Sequence, residues 1–471
     1  MPASPLIPSY NADTLETGVV HLGFGAFHRA HQSLYFDRLA EETAARAWGI
    51  AVVNLRNEDR AAFLTASEAQ AYPLRSVAPS GEAETRVIRV HRQALDWSHD
   101  DSRTEAEALL ALPSVQLVTI TVTEAGYYLD GKHQLDAQHP LIQAEVAQRA
   151  ASSIFAYLRA ALQRRLEAGG APLTIACCDN IRGNGTMLEQ SFLRYLELLD
   201  DAPLRAWVTQ SVSFPNSMVD RITPKPPGGS LPSLAAESGQ RLGPLVIAED
   251  FIQWVLEDRF KGKAPALERV GVTLTQDVEP YEETKIRVLN GGHTALVYMA
   301  ALSGYQTYDR LFSDPELTAE FDAFEQEEVL PHLPRDLPFD PQAYLATIKA
   351  RFSNAAIGDT VQRIATDGYA KFPIFIRPTI EACFASGKTP RYAIRSVASW
   401  LCFARRVFAG QLDFDYIEPN RARLEPLVTA ESLDTFVAHA PLWGDLAHRT
   451  ATFQDELEKQ LALVEQRWPL K

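Results

Sequence analysis

Gly18-Val-Val-His-Leu-Gly23-Phe-Gly25 is a short apolar run that ends in two glycines, and the stretch from there to about residue 45 carries apolar residues at helical spacing. The segment reads as strand, turn, helix. Continued as Gly23-Phe-Gly25-Ala-Phe27-His28-Arg29-Ala-His31, it holds the first two glycines of the dinucleotide fingerprint between a strand and a helix. Gly23 would permit the tight turn, and Gly25 would let a pyrophosphate approach backbone N–H groups at the positive helix end. His28 stands where the third glycine belongs, although Arg29 could supply compensating positive charge. A purely structural tight turn is the competing reading. His28 and His31 are spaced like a metal pair, but no third ligand accompanies them, so they read as site-lining or packing residues and no metal is expected.

Further strand candidates follow at Trp48 to Leu55, Val115 to Val122, Leu173 to Cys177 and Val270 to Leu274, with helices between them, including a long one from about Pro140 to Glu167 closed by Gly169-Gly170. Such alternation predicts an α/β fold with a mostly parallel, Rossmann-type sheet wrapped by helices. From about residue 280 strand signals thin out and helical periodicity takes over, as in Thr379 to Phe408 and Asp455 to Arg467. A chain of 471 residues exceeds what one core usually holds. The expected organisation is a dinucleotide-binding domain over 1–280 and a mainly α-helical substrate and catalytic domain over 281–471, with a cleft at the junction near Pro280-Tyr281. The Thr223-Pro-Lys-Pro-Pro-Gly-Gly segment reads as a loop of the first domain, and no internal repeat is present.

The net charge of −15 argues against nucleic acid or an anionic membrane as partner. The four cysteines, Cys177, Cys178, Cys383 and Cys402, have no CxxC spacing, so neither a zinc site nor a disulfide framework is indicated, and a reducing cytoplasm is expected. The opening Met-Pro-Ala-Ser-Pro has no charged n-region or apolar h-region, and no run of ~18 apolar residues occurs, so no membrane association is expected. After the second strand come Glu58 and Asp59. An acid there would bond the adenosine ribose and repel a 2′-phosphate, favouring NAD over NADP, although the two lie farther from the glycines than the usual ~20 residues and have Arg56 and Arg60 beside them.

The chemistry is concentrated in Lys285-Ile-Arg-Val-Leu-Asn290-Gly-Gly-His293. On a regular helix, at ~100° per residue from Lys285, His293 falls near ~80° and Asn290 near ~140°, so the three polar heads can converge. Oxidising a secondary alcohol requires a group to take the hydroxyl proton and donors to steady the oxygen. A lysine can take the proton only when neutral, so its pKa must fall from ~10.4 towards ~7 to 8. The flanking Val288, Leu289, Ala295, Leu296 and Val297 predict the burial that would lower it. Asn290 could donate an amide N–H to the developing oxyanion, and His293 could bind a neighbouring hydroxyl. Glu282, near ~60° on the same face, could hold or relay the proton, yet its charge would also raise the lysine pKa. Spacing leaves equally open a surface Glu282–Lys285 pair with Asn290 and His293 as satisfied helix polars.

Together with Thr123-Glu-Ala-Gly-Tyr127, Cys178-Asp-Asn180 and Phe214-Pro-Asn-Ser-Met-Val-Asp-Arg-Ile-Thr-Pro224, these segments resemble the polyol-specific long-chain dehydrogenases over nearly the whole chain. The resemblance implies a metal-independent, monomeric enzyme with Lys285 as general base, Asn180 and Asn290 as oxyanion hole, His293 orienting substrate and Glu282 gating proton exchange. It implies that Asp220, Arg363 and Lys371 surround the polyol, and that Glu58 and Asp59 select NAD. Asn180 also follows a strand end, where ligands of α/β sheets bind. Without the resemblance it would read as a loop cap, Asp220 and Arg221 as an ion pair, and Arg363 and Lys371 as solvated charges.

Asn54-Leu-Arg-Asn-Glu58, Thr123 to Leu129 and Tyr281 to Asn290 are most similar to the members that convert D-arabinitol to D-xylulose. Oxidation of D-mannitol to D-fructose stays open, because an extra CH–OH changes contacts by only a few kcal/mol. So does reduction of fructuronate, whose carboxylate Arg363 or Lys371 could pair. A catalytically silent NAD-binding sensor is the alternative of a different class, disfavoured because a sensor has no use for a proton acceptor beside oxyanion donors. A zinc alcohol dehydrogenase should lose activity to a chelator.

Overall fold

The computed structural model describes residues 5–43, 45–131, 133–149, 151–224, 242–446 and 452–470. Residues 225–229 of the Pro- and Gly-rich segment lie outside them. The chain falls into two compact units, Met1–Ala78 with Glu82–Glu279, and Pro280–Lys471 with Pro79–Gly81.

The first unit is built on a six-stranded, wholly parallel sheet. Its strands are β1 (Thr17–Leu22), β2 (Gly49–Asn54), β5 (His91–Asp96), β6 (Leu117–Ile120), β7 (Leu173–Cys177) and β8 (Val212–Ser213), in the order β5-β2-β1-β6-β7-β8. β2, β6 and β7 are buried at every position, as expected of parallel strands covered on both faces. The chain builds outward from β1 through β2 to β5, then crosses back to β6. The strand order therefore reverses between β1 and β6, and an α/β sheet opens its ligand crevice at such a reversal. Two small sheets flank it: β3 (Tyr72–Val77) between β4 (Ala83–Ile88) and β10 (Val246–Glu249), and β11 (Gln253–Glu257) between β9 (Ser217–Asp220) and β12 (Thr273–Thr275).

Three expectations about this unit are corrected. The helix after Gly25 is two, α1 (Ala26–Ala30) and α2 (Gln32–Glu42), because His31 leaves helical geometry at φ −109° and ψ −86° and its Nε2 meets the Gln253 carbonyl at 2.8 Å. The long helix from Pro140 to Glu167 is also two, Pro140–Val146 and Ile154–Glu167. Gln148 takes φ +57°, Ser153 caps the second helix through Ala156 N, and the Glu145 carboxylate accepts from Ser152 N and from Ser153 N and Oγ. This local capping outcompetes a continuous helix. The strand placed at Val270 to Leu274 starts only at Thr273, since Leu267–Val270 is a 3₁₀ turn ended by Gly271 at φ +96°.

The second unit is helical around one apolar core to which Leu296, Phe321, Phe352, Trp400 and Trp443 contribute. Its 18-residue Arg391–Phe408 helix packs on the Thr452–Arg467 and Gly291–Leu302 helices. The lysine segment is a π turn, Lys285–Asn290, between the α-helical Glu279–Thr284 and Gly291–Leu302. Gly291 N bonds the Ile286 carbonyl, five residues back. A second π turn, Phe324–Val329, contacts the first. Each residue of a π turn advances by less than the ~100° of an α-helix, so the regular-helix projection is wrong here and Asn290 falls closer to Lys285 than ~140°.

Candidate active site

A cavity of about 330 Å³ opens at the carboxyl ends of β1, β2 and β6. Gly23, Gly25 and Arg29 line it after β1, Asn54 at the end of β2 with Arg56 and Asp59 beyond it, and Thr121, Thr123 and Tyr128 after β6. Gly23 has φ +99°, and a Cβ there would lie 2.3 Å from the Thr121 carbonyl oxygen. Only glycine fits. A Cβ on Gly25 would meet nothing within 4 Å, which leaves an open approach to backbone N–H groups. The Arg29 guanidinium sits 5.7 Å from the Phe24 ring centroid and 5.6 Å from that of Tyr72, and its buried Nε has no hydrogen-bond partner among the described residues. A cationic wall with an open donor beside a glycine turn fits a dinucleotide pyrophosphate.

Asp59 lines this cavity and accepts from Arg56 Nε at 2.7 Å, whereas exposed Glu58 is not in the lining. Arg60 turns to Asp96, at 2.8 Å. Phe27 is also outside the lining and stacks on His31, with ring centroids 4.9 Å apart. His28 is fully buried and stacks on His21 at 3.4 Å, and both imidazoles are held well below their usual pKa, first by burial. His28 is thus a packing residue, as is His31. Among the described residues no group of three or more His, Cys, Asp or Glu could hold a metal, all four cysteines are free and buried, and no helix is long and apolar enough to cross a membrane.

Asn54 and Thr123 are cavity residues that sequence spacing did not single out. Asn54 is the last residue of β2 and donates to Asp96 Oδ1 at 2.8 Å and to the Arg56 carbonyl at 2.9 Å. Its signal was available, since it is the first polar residue after an unbroken apolar strand. Asn180 is exposed in the bend beyond β7. Asp220 is buried at the end of β9, opposite Gln253. Its neighbour Arg221 donates to the Glu249 and Ala30 carbonyls and, at 2.7 Å, to Ser76 Oγ.

In the second unit, Lys285 is 7% exposed on the π turn, and Glu282 is half-buried on the preceding helix. Asn290 Oδ1 is buried without a hydrogen-bond partner among the described residues. A half-turn of the carboxamide would present its N–H instead. His293 stacks on Phe352, ring centroids 3.9 Å apart, and meets Tyr308 edge-on at 4.8 Å. Burial first, then the charges of Arg363, Arg351 and Lys371, hold its pKa well below the usual value, so the imidazole is neutral. Its Nε2 is likewise buried and unpartnered among the described residues. Lys371 is half-buried and donates to the Ile364 carbonyl at 2.8 Å, and burial followed by the Arg363 charge lowers its pKa to about 8. Arg363 is exposed and paired with Asp359 through Nε at 2.5 Å.

Gly291 and Gly292, between Asn290 and His293, let the second π turn and its neighbours close in. A Cβ on Gly292 would fall 2.8 Å from Glu325 Oε1 and 2.9 Å from the Phe321 ring.

Residues 17–269 match the family model of the mannitol dehydrogenase Rossmann domain, and residues 277–464 that of the mannitol dehydrogenase C-terminal domain. The chain belongs to the mannitol dehydrogenase family. A D-arabinitol 4-dehydrogenase of Ralstonia nicotianae is 37% identical over 93% of this chain and 94% of its own. A polyol:NADP oxidoreductase of Gluconobacter oxydans is 34% identical over 85% of this chain and 83% of its own. Among solved structures, mannitol 2-dehydrogenase of Pseudomonas fluorescens, in ternary complex with NAD and D-mannitol, is similar with a TM-score of 0.86 and 33% identity, covering 98% of this dehydrogenase and 95% of its own chain.

Proposed function

We propose that this dehydrogenase oxidises a secondary alcohol of a sugar alcohol to the ketose with NAD, and that its substrate is D-arabinitol, which becomes D-xylulose. The observation that carries the reading is the segment 285–293, where buried Lys285 is followed by two buried polar atoms without a hydrogen-bond partner among the described residues, Asn290 Oδ1 and His293 Nε2. Unpartnered buried groups are costly unless a ligand satisfies them, and a polyol offers hydroxyls that both donate and accept.

Lys285, uncharged, takes the carbinol proton. Asn290 and, on the first unit, Asn180 are assigned amide donation to the oxygen that becomes the carbonyl. Neutral His293 orients a neighbouring hydroxyl, and Glu282 passes the lysine's proton to solvent. Asp220, Arg363 and Lys371 are assigned to the polyol. Gly23, Gly25 and Arg29 hold the cofactor pyrophosphate. Asp59, which lines the cavity, is a better candidate than Glu58 for the ribose hydroxyls and hence for preferring NAD over NADP. NAD, when bound, supplies the hydride acceptor. Oxidation of D-mannitol is the second reading, favoured by the likeness to the D-mannitol complex. Uronate reduction is the third reading, in which Arg363 or Lys371 would pair with the substrate carboxylate.

The test is a panel of D-arabinitol, D-mannitol, D-sorbitol, xylitol and D-mannonate, each with NAD and with NADP, followed by NADH or NADPH absorbance. The largest kcat/KM is expected with D-arabinitol and NAD. Lys285→Ala should lower kcat by ~10² to 10⁴ while leaving NADH binding intact. Normal turnover in that variant would remove the assigned base, and a silent panel would favour a sensor.

A further inference from the structure

Thr123 takes φ 66° and ψ 160°, a backbone region essentially reserved for glycine, yet it carries a β-branched side chain. The strain sits in the wall of the cofactor cavity, which Val122, Thr123, Gly126 and Tyr128 help to line. One carboxylate grips both ends of this segment. Asp179, just beyond β7, accepts from Val122 N at 2.9 Å, from Thr123 N at 3.0 Å and from the buried Tyr127 hydroxyl at 2.6 Å. Tyr127 Oη also lies 3.0 Å from Cys177 Sγ.

We propose that Asp179 is a positioning residue that holds Thr123 in its strained conformation and so shapes the cavity wall for the nicotinamide dinucleotide. The inference rests on the reading of that cavity as the cofactor site. Two of the three donors are the consecutive backbone N–H groups of Val122 and of the strained Thr123 itself, so the carboxylate acts directly on the strained backbone. A threonine at this φ and ψ requires such an external hold, whereas a glycine would not.

The experiment compares wild type, Asp179→Asn, Thr123→Gly and the double variant by NADH fluorescence titration and by melting temperature. The isosteric amide loses the charge and must turn a donor towards donors. Asp179→Asn should therefore bind NADH about tenfold more weakly, the size of one lost charge-assisted bond. Thr123→Gly removes a wall side chain and sets its own baseline, and adding Asp179→Asn to it should cost little further affinity, because a glycine needs no external hold. Wild-type affinity in Asp179→Asn would overturn the proposal, as would a loss from Asp179→Asn in the Thr123→Gly background as large as its loss in wild type. If Asp179→Asn does not fold, Tyr127→Phe, which removes one donor from the same carboxylate, should weaken NADH binding about fivefold, and unchanged binding would overturn the proposal. A wild type that binds no NADH would instead remove the cofactor reading on which the proposal stands.

Discussion

The backbone departs from regular geometry at the Gly23 turn of the first unit and at the Lys285–Asn290 turn of the second, for opposite reasons. At Gly23 the residue itself permits the departure, with positive φ and no side chain to strike the Thr121 carbonyl. At Lys285–Asn290 no residue demands it. The π turn accompanies close packing of Glu325, Phe321 and Phe352 on Gly292, just beyond its end. A turn written in one residue can be tested at that residue, and a turn imposed by packing must be tested where the packing is tight.

The largest effect should come from Gly23→Ala. Its Cβ would lie 2.3 Å from a backbone oxygen, so the β1 turn must move, at a cost of about 3 kcal/mol or more. Lowered melting temperature and lost NADH binding are expected together. Gly292→Ala should come next, with overpacking worth about 1–3 kcal/mol. It displaces the helix between Asn290 and His293, so kcat should fall at least tenfold while NADH binding persists. If NADH binding falls instead, the division of labour assigned to the two regions is wrong. Gly25→Ala should be milder, since its Cβ enters open space. The fold should be unchanged and NADH affinity lower by about tenfold, because the methyl occupies the assigned approach to the pyrophosphate. Unchanged affinity would move the phosphate away from Gly25.

The same contrast explains what the sequence disclosed. The alternation that marks the parallel sheet, the Gly23 to Gly25 turn and the helical character beyond residue 280 rest on local residue types, so they were readable. The breaks at His31 and between Val146 and Ile154 depend on side chains reaching the Gln253 carbonyl or bonding Ser152 and Ser153, and a period count does not register them. Asp179 was hidden for the same reason. Its donors lie 52 to 57 residues away along the chain. Lys285, Asn290 and His293 could be named from their spacing, but their angles were reckoned on an α-helix where the chain forms a π turn. Arg363 and Lys371, grouped by resemblance alone, differ in structure: one is exposed and paired, the other half-buried with a depressed pKa.

That difference between the two cations gives the smallest expected effect, a pH dependence. Burial, then the Arg363 charge, lowers the Lys371 pKa from 10.5 to about 8 in the folded protein. Between these values the unfolded chain binds more protons at this site than the folded one, so stability rises with pH. The contribution is fullest above the unfolded value and is lost as pH falls through about 8, where the folded protein must bury a charge. Lys371→Met removes the charge and keeps much of the stem. Urea unfolding at pH 7 and at pH 10 should show the variant gaining stability over wild type at pH 7, with the gain shrinking at pH 10. A gain of equal size at both pH values would mean that Lys371 titrates normally. Its place near His293 would then be a matter of packing, and the neutrality of that imidazole would rest on burial and the two arginines, Arg363 and Arg351.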